Sequence, residues 1–100
     1  NFLLQDGLDR MRSNRQQVQL YRTNFSENAR VNTSCVATLC SPQQLARWDL
    51  QSWKQQVATQ LPAGRAEIRV EDNGLVDIAI EFDDSRGSRE AISISASSYL

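Results

Sequence analysis

The sequence predicts an α+β domain in which two helices pack on a three- to four-stranded antiparallel sheet. The chain has 100 residues, 40% of them hydrophobic, so one domain spanning residues 1–100 is expected. Apolar residues recur at helical spacing in residues 1–16 and 41–61 and then alternate with polar residues over 66–98. Asn73-Gly74 separates two alternating runs, which is a strong hairpin signal.

Residues 1–16 are predicted to form the first helix. Leu4, Leu8 and Met11 are spaced by four and three residues and therefore share one face. Gly7 is expected to weaken the middle of this helix. The pattern is already in progress at Asn1, with no initiator methionine and no cap expected, so we expect the helix to continue from a segment upstream.

Residues 17–40 are predicted to form a long loop, because they are rich in asparagine, serine and threonine. Val18, Leu20 and Tyr21 could instead extend the first helix. A disulfide between Cys35 and Cys40 is expected to close its end. The C-x4-C spacing is too wide for a redox-active pair, and there is no second ligand pair for a zinc site. The alternative is two reduced, partly buried cysteines in a cytosolic protein. A disulfide would favour a location outside the cytoplasm.

Residues 41–61 are predicted to form the second helix. Ser41 as N-cap, Pro42 at the first helical position and Gln44 three residues after the cap make a capping box. Asp49 could act as a second N-cap. In that alternative, a short first turn precedes a main helix that begins at Leu50. The segment ends before Pro62 and Gly64.

The expected core combines one face of the second helix with one face of the sheet. Trp53 lies on the same helical face as the other apolar residues, which favours burial over a role as an exposed binding platform. For Trp48 the sequence does not distinguish these two roles. The strands are expected around Ile68, Ile78 and Ile94, joined by turns at residues 72–74 and 83–88. The predicted core anchors are Trp53, Val57, Leu61, Ile78 and Ile80.

Composition argues against several classes of function. Eleven basic and twelve acidic residues give a net charge of −1, so no nucleic-acid binding is expected. The chain has no histidine, which removes Ser-His-Asp and Cys-His catalysis and imidazole metal sites. We expect no enzyme activity, no cofactor and no metal.

Two groups of polar residues are candidate sites. The acidic turns at Glu71, Asp72, Asp83 and Asp84 could supply a catalytic carboxylate pair or calcium ligands, but such residues usually serve their own turn. The sequons that begin at Asn24 and at residue 32 would be glycan acceptors in a secreted eukaryotic protein, and chance occurrence is the favoured explanation.

The order of three motifs resembles the PilV-type minor pilins of bacterial type IV pili. Residues 8–15 read LDRMRSNR, residues 40–53 read CSPQQLARWDLQSW, and residues 61–64 read LPAG. The family typically carries Asp-Arg-Met-Arg-Ala-Asn-Arg, then Cys-(Ser/Thr)-Pro-x-Gln-Leu-Ala-x-x-Asp-Leu-x-x-Trp, then Leu-Pro-x-Gly. The resemblance covers nearly the whole chain.

The resemblance implies a pilin architecture and a non-enzymatic role. A long N-terminal helix, whose apolar first half is missing from this sequence, would anchor the full-length protein in the inner membrane. The subunit would join other minor pilins in a complex that primes pilus assembly, at the filament tip. The major pilin and a tip adhesin are possible further partners. It would lie on the periplasmic side of the inner membrane and in the extracellular pilus.

Candidate faces for such partners are the loop 17–40 and the exposed side of the first helix, with a plain solvated face as the alternative. That side of the helix carries Asp6, Arg10, Arg12 and Arg15. Two other functions stay open. One is an I-type minor pseudopilin of type II secretion, and the other is a secreted binding domain stapled by one disulfide.

Overall fold

The computed structural model describes residues 1–27, 34–36, 39–87 and 89–100. Its helices are α1 (Phe2–Arg12), a 3₁₀ helix (Arg15–Tyr21) and α2 (Pro42–Gln60). Its strands are β1 (Arg65–Val70), β2 (Leu75–Phe82) and β3 (Ile92–Tyr99). The α+β prediction is therefore confirmed.

Helix α1 begins with a side-chain cap, contrary to the expected uncapped start. Asn1 Oδ1 accepts hydrogen bonds from Leu3 N at 2.8 Å and Leu4 N at 3.4 Å. The helix ends at Arg12 rather than at residue 16. The reason is tertiary: Asn14 leaves the helical region (φ −143°, ψ 42°) and its side chain donates to Pro42 O at 2.8 Å.

The structure differs from the predicted loop at its start. Residues 17–21 belong to the 3₁₀ helix, because Tyr21 is buried and Val18 packs against the core. Just beyond, Thr23 forms a two-way backbone bridge with Ile68 of β1 (3.1 and 3.0 Å). Residues 28–33 and 37–38 of the predicted loop lie outside the described residues, as does most of the second sequon.

Helix α2 has the predicted start and no interruption. Ser41 Oγ accepts from Gln44 N at 3.1 Å, and Gln44 Oε1 accepts from Ser41 N at 2.8 Å. The proposed second start at Asp49 is wrong, because the helix is continuous there and the Asp49 side chain is buried. Leu61 is the C-cap residue.

The three strands form an antiparallel meander in the order β1-β2-β3. Ile68 pairs with Ile78, and Ile78 pairs with Ala96, so the apolar residues of all three strands share one face. Gly74 adopts a positive φ of 89° in the predicted β1–β2 hairpin. Among the described residues the sheet has no fourth strand, and only the isolated bridge of Thr23 to Ile68 extends it beyond β1.

The core lies between the apolar face of the sheet and the helices α1 and α2. Of the five predicted anchors, Trp53, Val57, Ile78 and Ile80 are at most 1% exposed, while Leu61 is only partly buried. Trp53 Nε1 also donates to Leu3 O at 2.7 Å and so ties α2 to α1.

Gly7 is a packing residue and not a weak point of α1. A Cβ atom at this position would lie 2.6 Å from Ile78 Cδ1 and 2.9 Å from Trp53 Cε2. Only a residue without a side chain lets α1 approach the sheet and α2 this closely.

Candidate functional site

A buried polar cluster joins α1, the 3₁₀ helix and α2. Tyr21 Oη donates to Asp49 Oδ2 at 2.7 Å, and Arg10 Nη1 donates to Asp49 Oδ1 at 3.2 Å. Burial raises the pKa of Tyr21, and the hydrogen bond to Asp49 acts in the same direction. Because each polar group in this cluster has a partner, its geometry serves packing, and it offers no unpaired group for chemistry.

The charged residues predicted to share one exposed face of α1 do not all face solvent, because Arg10 belongs to the buried cluster. Arg10 turns inward, bonds Asp6 (3.3 Å) and Asp49, and lies over the Trp48 ring at 5.7 Å from its centroid. Trp48 is therefore half-buried beneath a guanidinium group. Arg12 pairs with Asp9 at 3.1 Å. Of the four predicted residues, only Arg15 is exposed, and it lies in the 3₁₀ helix and not in α1.

A second buried polar contact fixes the turn after the 3₁₀ helix. Lys54 Nζ donates to Thr23 Oγ1 and to Asn24 O, both at 2.8 Å. Burial lowers the pKa of Lys54, and the charge of nearby Glu27 opposes that shift. Asn24, the acceptor of the first sequon, uses its side-chain oxygen within this turn, accepting from Ser26 N at 3.0 Å.

The acidic turns are not brought together. Asp83 accepts from Ser85 N and Gly87 N, each at 2.9 Å, and bonds from the Ser85 hydroxyl and backbone lower the pKa of Asp83. Glu71 and Asp72 lie at the opposite end of β2, about 20 Å or more away by strand rise. Over the ranges that the structure describes, no group of acidic or cysteine side chains could hold a metal ion.

A cleft of about 440 Å³ lies between the turn after the 3₁₀ helix and β1. Each wall carries both signs of charge, with Arg22 and Glu27 from the turn and Glu67 and Arg69 from β1. Small-molecule sites are usually apolar clefts with a few converging polar groups. This lining therefore supplies no argument for a cofactor or substrate site.

The disulfide-closed loop presents apolar side chains to solvent. Cys35 and Cys40 form a disulfide with their Cα atoms 5.6 Å apart. Within this loop Val36 is 82% exposed and Leu39 is 98% exposed. The loop 17–40 was predicted from the sequence as a candidate face for partners, without these two side chains being named; a valine and a leucine inside a short disulfide loop have little room to turn inward.

Within the described residues, every helix is too short or too polar to cross a lipid bilayer. In a comparison with protein families, residues 2–51 match the Tt1218-like family, described as type IV pilin Tt1218. No curated protein and no solved structure matches the chain.

The matched segment contains α1, the 3₁₀ helix, the disulfide-closed loop and the first half of α2. It therefore includes the buried Arg10–Tyr21–Asp49 cluster that holds these elements together. The match supports a type IV pilin in general and leaves the PilV-type assignment as a prediction. With half of its residues matched, the chain belongs to the Tt1218-like family of type IV pilins.

Proposed function

We propose that this chain is a minor pilin that joins other minor pilins in a complex priming type IV pilus assembly at the filament tip. Family membership supports a pilin role. The observation that carries the finer proposal is the pair of exposed apolar side chains, Val36 and Leu39, on a disulfide-closed loop within the family-matched segment.

This loop has the properties of a protein-contact surface. Residues 31–46 contain no charged side chain, although 23% of the whole chain is charged. Uncharged apolar surface loses little on desolvation and gains on burial against a partner. The disulfide restricts the loop before binding, which reduces the entropy lost when a partner orders it.

In this proposal the loop contacts other minor pilins, with the major pilin and a tip adhesin as further partners. An apolar helix upstream of α1 anchors the full-length subunit at the periplasmic side of the inner membrane until it enters the pilus. The described residues contribute the contact surfaces, and no catalytic step is required.

The test is recovery of minor pilins of the same system with the tagged full-length protein from detergent-solubilised membranes. Val36→Ser combined with Leu39→Ser should reduce their recovery about tenfold, because the apolar contact is lost. The thermal midpoint should be unchanged, since both side chains are exposed.

Leu20→Ser is the matched control, since it removes an apolar side chain that is 37% exposed outside the loop. It should leave recovery unchanged. Equal recovery of minor pilins by the double variant and the wild type would refute the loop as their contact surface.

A further inference from the structure

The two edges of the sheet differ in how they are protected. At the β1 edge, the backbone N–H and C=O of Ile68 point away from β2 and are hydrogen-bonded to the backbone of Thr23. Strand β1 also carries three charged residues, Arg65, Glu67 and Arg69. Across the ranges that the structure describes, nothing pairs with the outer edge of β3.

Strand β3 lacks the usual features that keep an edge strand from pairing. Natural edges are short, bulged, charged or interrupted by proline. Strand β3 has eight residues and pairs with β2 without a bulge, from Leu75↔Tyr99 to Phe82↔Ile92. Residues 91–100 contain no charged side chain and no proline. The outer edge of β3 therefore presents a continuous row of backbone donors and acceptors.

The side chains of β3 define what kind of strand would fit beside it. On the core side, Ile92 is 42% exposed and Ile94 and Ala96 are partly buried, so an added strand with apolar residues at alternate positions would cover them. On the opposite side, β3 presents serines at positions 93, 95 and 97, which accommodate small polar neighbours.

We propose that β3 accepts an extended segment of a different protein, apolar at every second position, as a fourth strand of the sheet. A second copy of this chain fits poorly. Antiparallel pairing of two β3 strands keeps the apolar faces of both copies on one side of the combined sheet. It also makes the α1 helices of the two copies run in opposite directions, because α1 packs on the sheet with Gly7 over Ile78.

Two other arrangements of a second copy also fail. Parallel pairing about a twofold axis puts the two apolar faces on opposite sides of the combined sheet. Head-to-tail pairing needs the β1 edge, where Thr23 already occupies Ile68. The objection to reversed helices rests on the proposed function, because subunits anchored in one membrane must direct α1 the same way.

The test uses an acetylated and amidated peptide with the sequence LVDIAIEF of residues 75–82, because β3 already pairs with that strand on its other edge. Amide hydrogen exchange of the protein is followed by NMR. In the free protein, alternate amides of β3 should exchange rapidly. The peptide should slow these amides at least roughly tenfold, and a peptide with proline in place of Ile78 and Ile80 should not.

A matched pair of variants locates the effect. Ile92→Lys should weaken peptide binding roughly tenfold, because the added strand would desolvate the new charge. Leu20→Lys makes the same kind of change at a similarly exposed site away from β3 and should leave binding unchanged.

Three results would overturn the proposal. The first is rapid exchange at β3 that persists up to the peptide's solubility limit. The second is protection of every β3 amide in the monomer, which means that the chain covers its own edge. The third is concentration-dependent protection without peptide, which makes a second copy the occupant. None of them bears on the loop experiment, so the minor-pilin proposal stands or fails separately.

Discussion

At the scale of single residues, three polar side chains determine how the first half of the chain packs. Asp49 lies in the middle of α2 and receives hydrogen bonds from Tyr21 of the 3₁₀ helix and Arg10 of α1. A buried carboxylate is costly without such partners. The two donors and the acceptor come from three elements, so the cluster specifies their relative placement as well as satisfying the charge.

Tyr21→Phe should destabilise the protein while preserving its shape. The substitution leaves Asp49 without its shortest hydrogen bond, for an expected loss of about 1–3 kcal/mol in the free energy of unfolding. Urea denaturation at neutral pH measures this loss. A variant as stable as the wild type would show that the Tyr21–Asp49 bond contributes nothing net.

The same tyrosine should make stability depend on alkaline pH. The pKa of Tyr21 is raised in the folded state, so above about pH 10 the unfolded chain loses this proton while the folded chain keeps it. The wild-type free energy of unfolding should therefore fall, relative to Tyr21→Phe, as pH rises above about 10. The comparison is needed because the lowered pKa of Lys54 makes stability rise with pH up to the ordinary lysine pKa.

Gly7→Ala tests the close approach of α1 to the core. Alanine favours a helix by about 1 kcal/mol over glycine. Here the added methyl would meet Ile78 and Trp53 at 2.6–2.9 Å, so we expect a net destabilisation of about 1–3 kcal/mol. Gln5→Ala, at an exposed position of α1, should be neutral or stabilising. A rise in thermal midpoint for Gly7→Ala would refute this packing.

At the scale of elements, the sequence predicted the features that depend on a few neighbouring residues. Ser41, Pro42 and Gln44 predicted the start of α2, and Asn73-Gly74 predicted the hairpin, because caps and tight turns depend on a few neighbouring residues. The 3₁₀ helix was missed because it depends on Tyr21 reaching Asp49, a contact between distant parts of the chain.

The roles of Asp49 and Gly7 were mispredicted because they depend on contacts between distant parts of the chain. Asp49 suggested a cap because its partner, Tyr21, cannot be recognised from neighbouring sequence. Gly7 suggested a weak helix because its contact with Trp53 and Ile78 depends on the assembled core. The loop 17–40 was predicted as a face for partners, but the exposure of Val36 and Leu39 within it was not, because apolar side chains are ordinarily buried.

The disulfide-closed loop should contribute modestly to stability. Cys35→Ser combined with Cys40→Ser should lower the free energy of unfolding by about 2 kcal/mol or less, because the closed loop is short. The core and the Ser41 cap should remain. Denaturation curves of the two proteins measure the difference, and a thiol assay of the unreduced, denatured wild type should find no free thiol. Two free thiols would contradict the disulfide.

At the scale of the whole molecule, the structure separates a packed interior from the two surfaces that we propose as partner contacts. Helix α1, α2 and the sheet share one core, while the apolar loop and the outer edge of β3 remain available among the described residues. A subunit of a filament needs more than one contact surface, since each copy has neighbours on several sides. The domain organisation over residues 1–100 is consistent with that requirement and stays a prediction.

Deletion of the gene in its source organism, followed by counting surface pili by electron microscopy, tests the minor-pilin proposal most directly. Pili should be lost, and the wild-type gene should restore them, whereas the gene carrying Val36→Ser and Leu39→Ser should restore far fewer. Type II secretion, measured in the same strains, should be unchanged. Normal pilus numbers in the deletion strain would contradict the proposal, and normal pili with lost secretion would identify the chain as a pseudopilin instead.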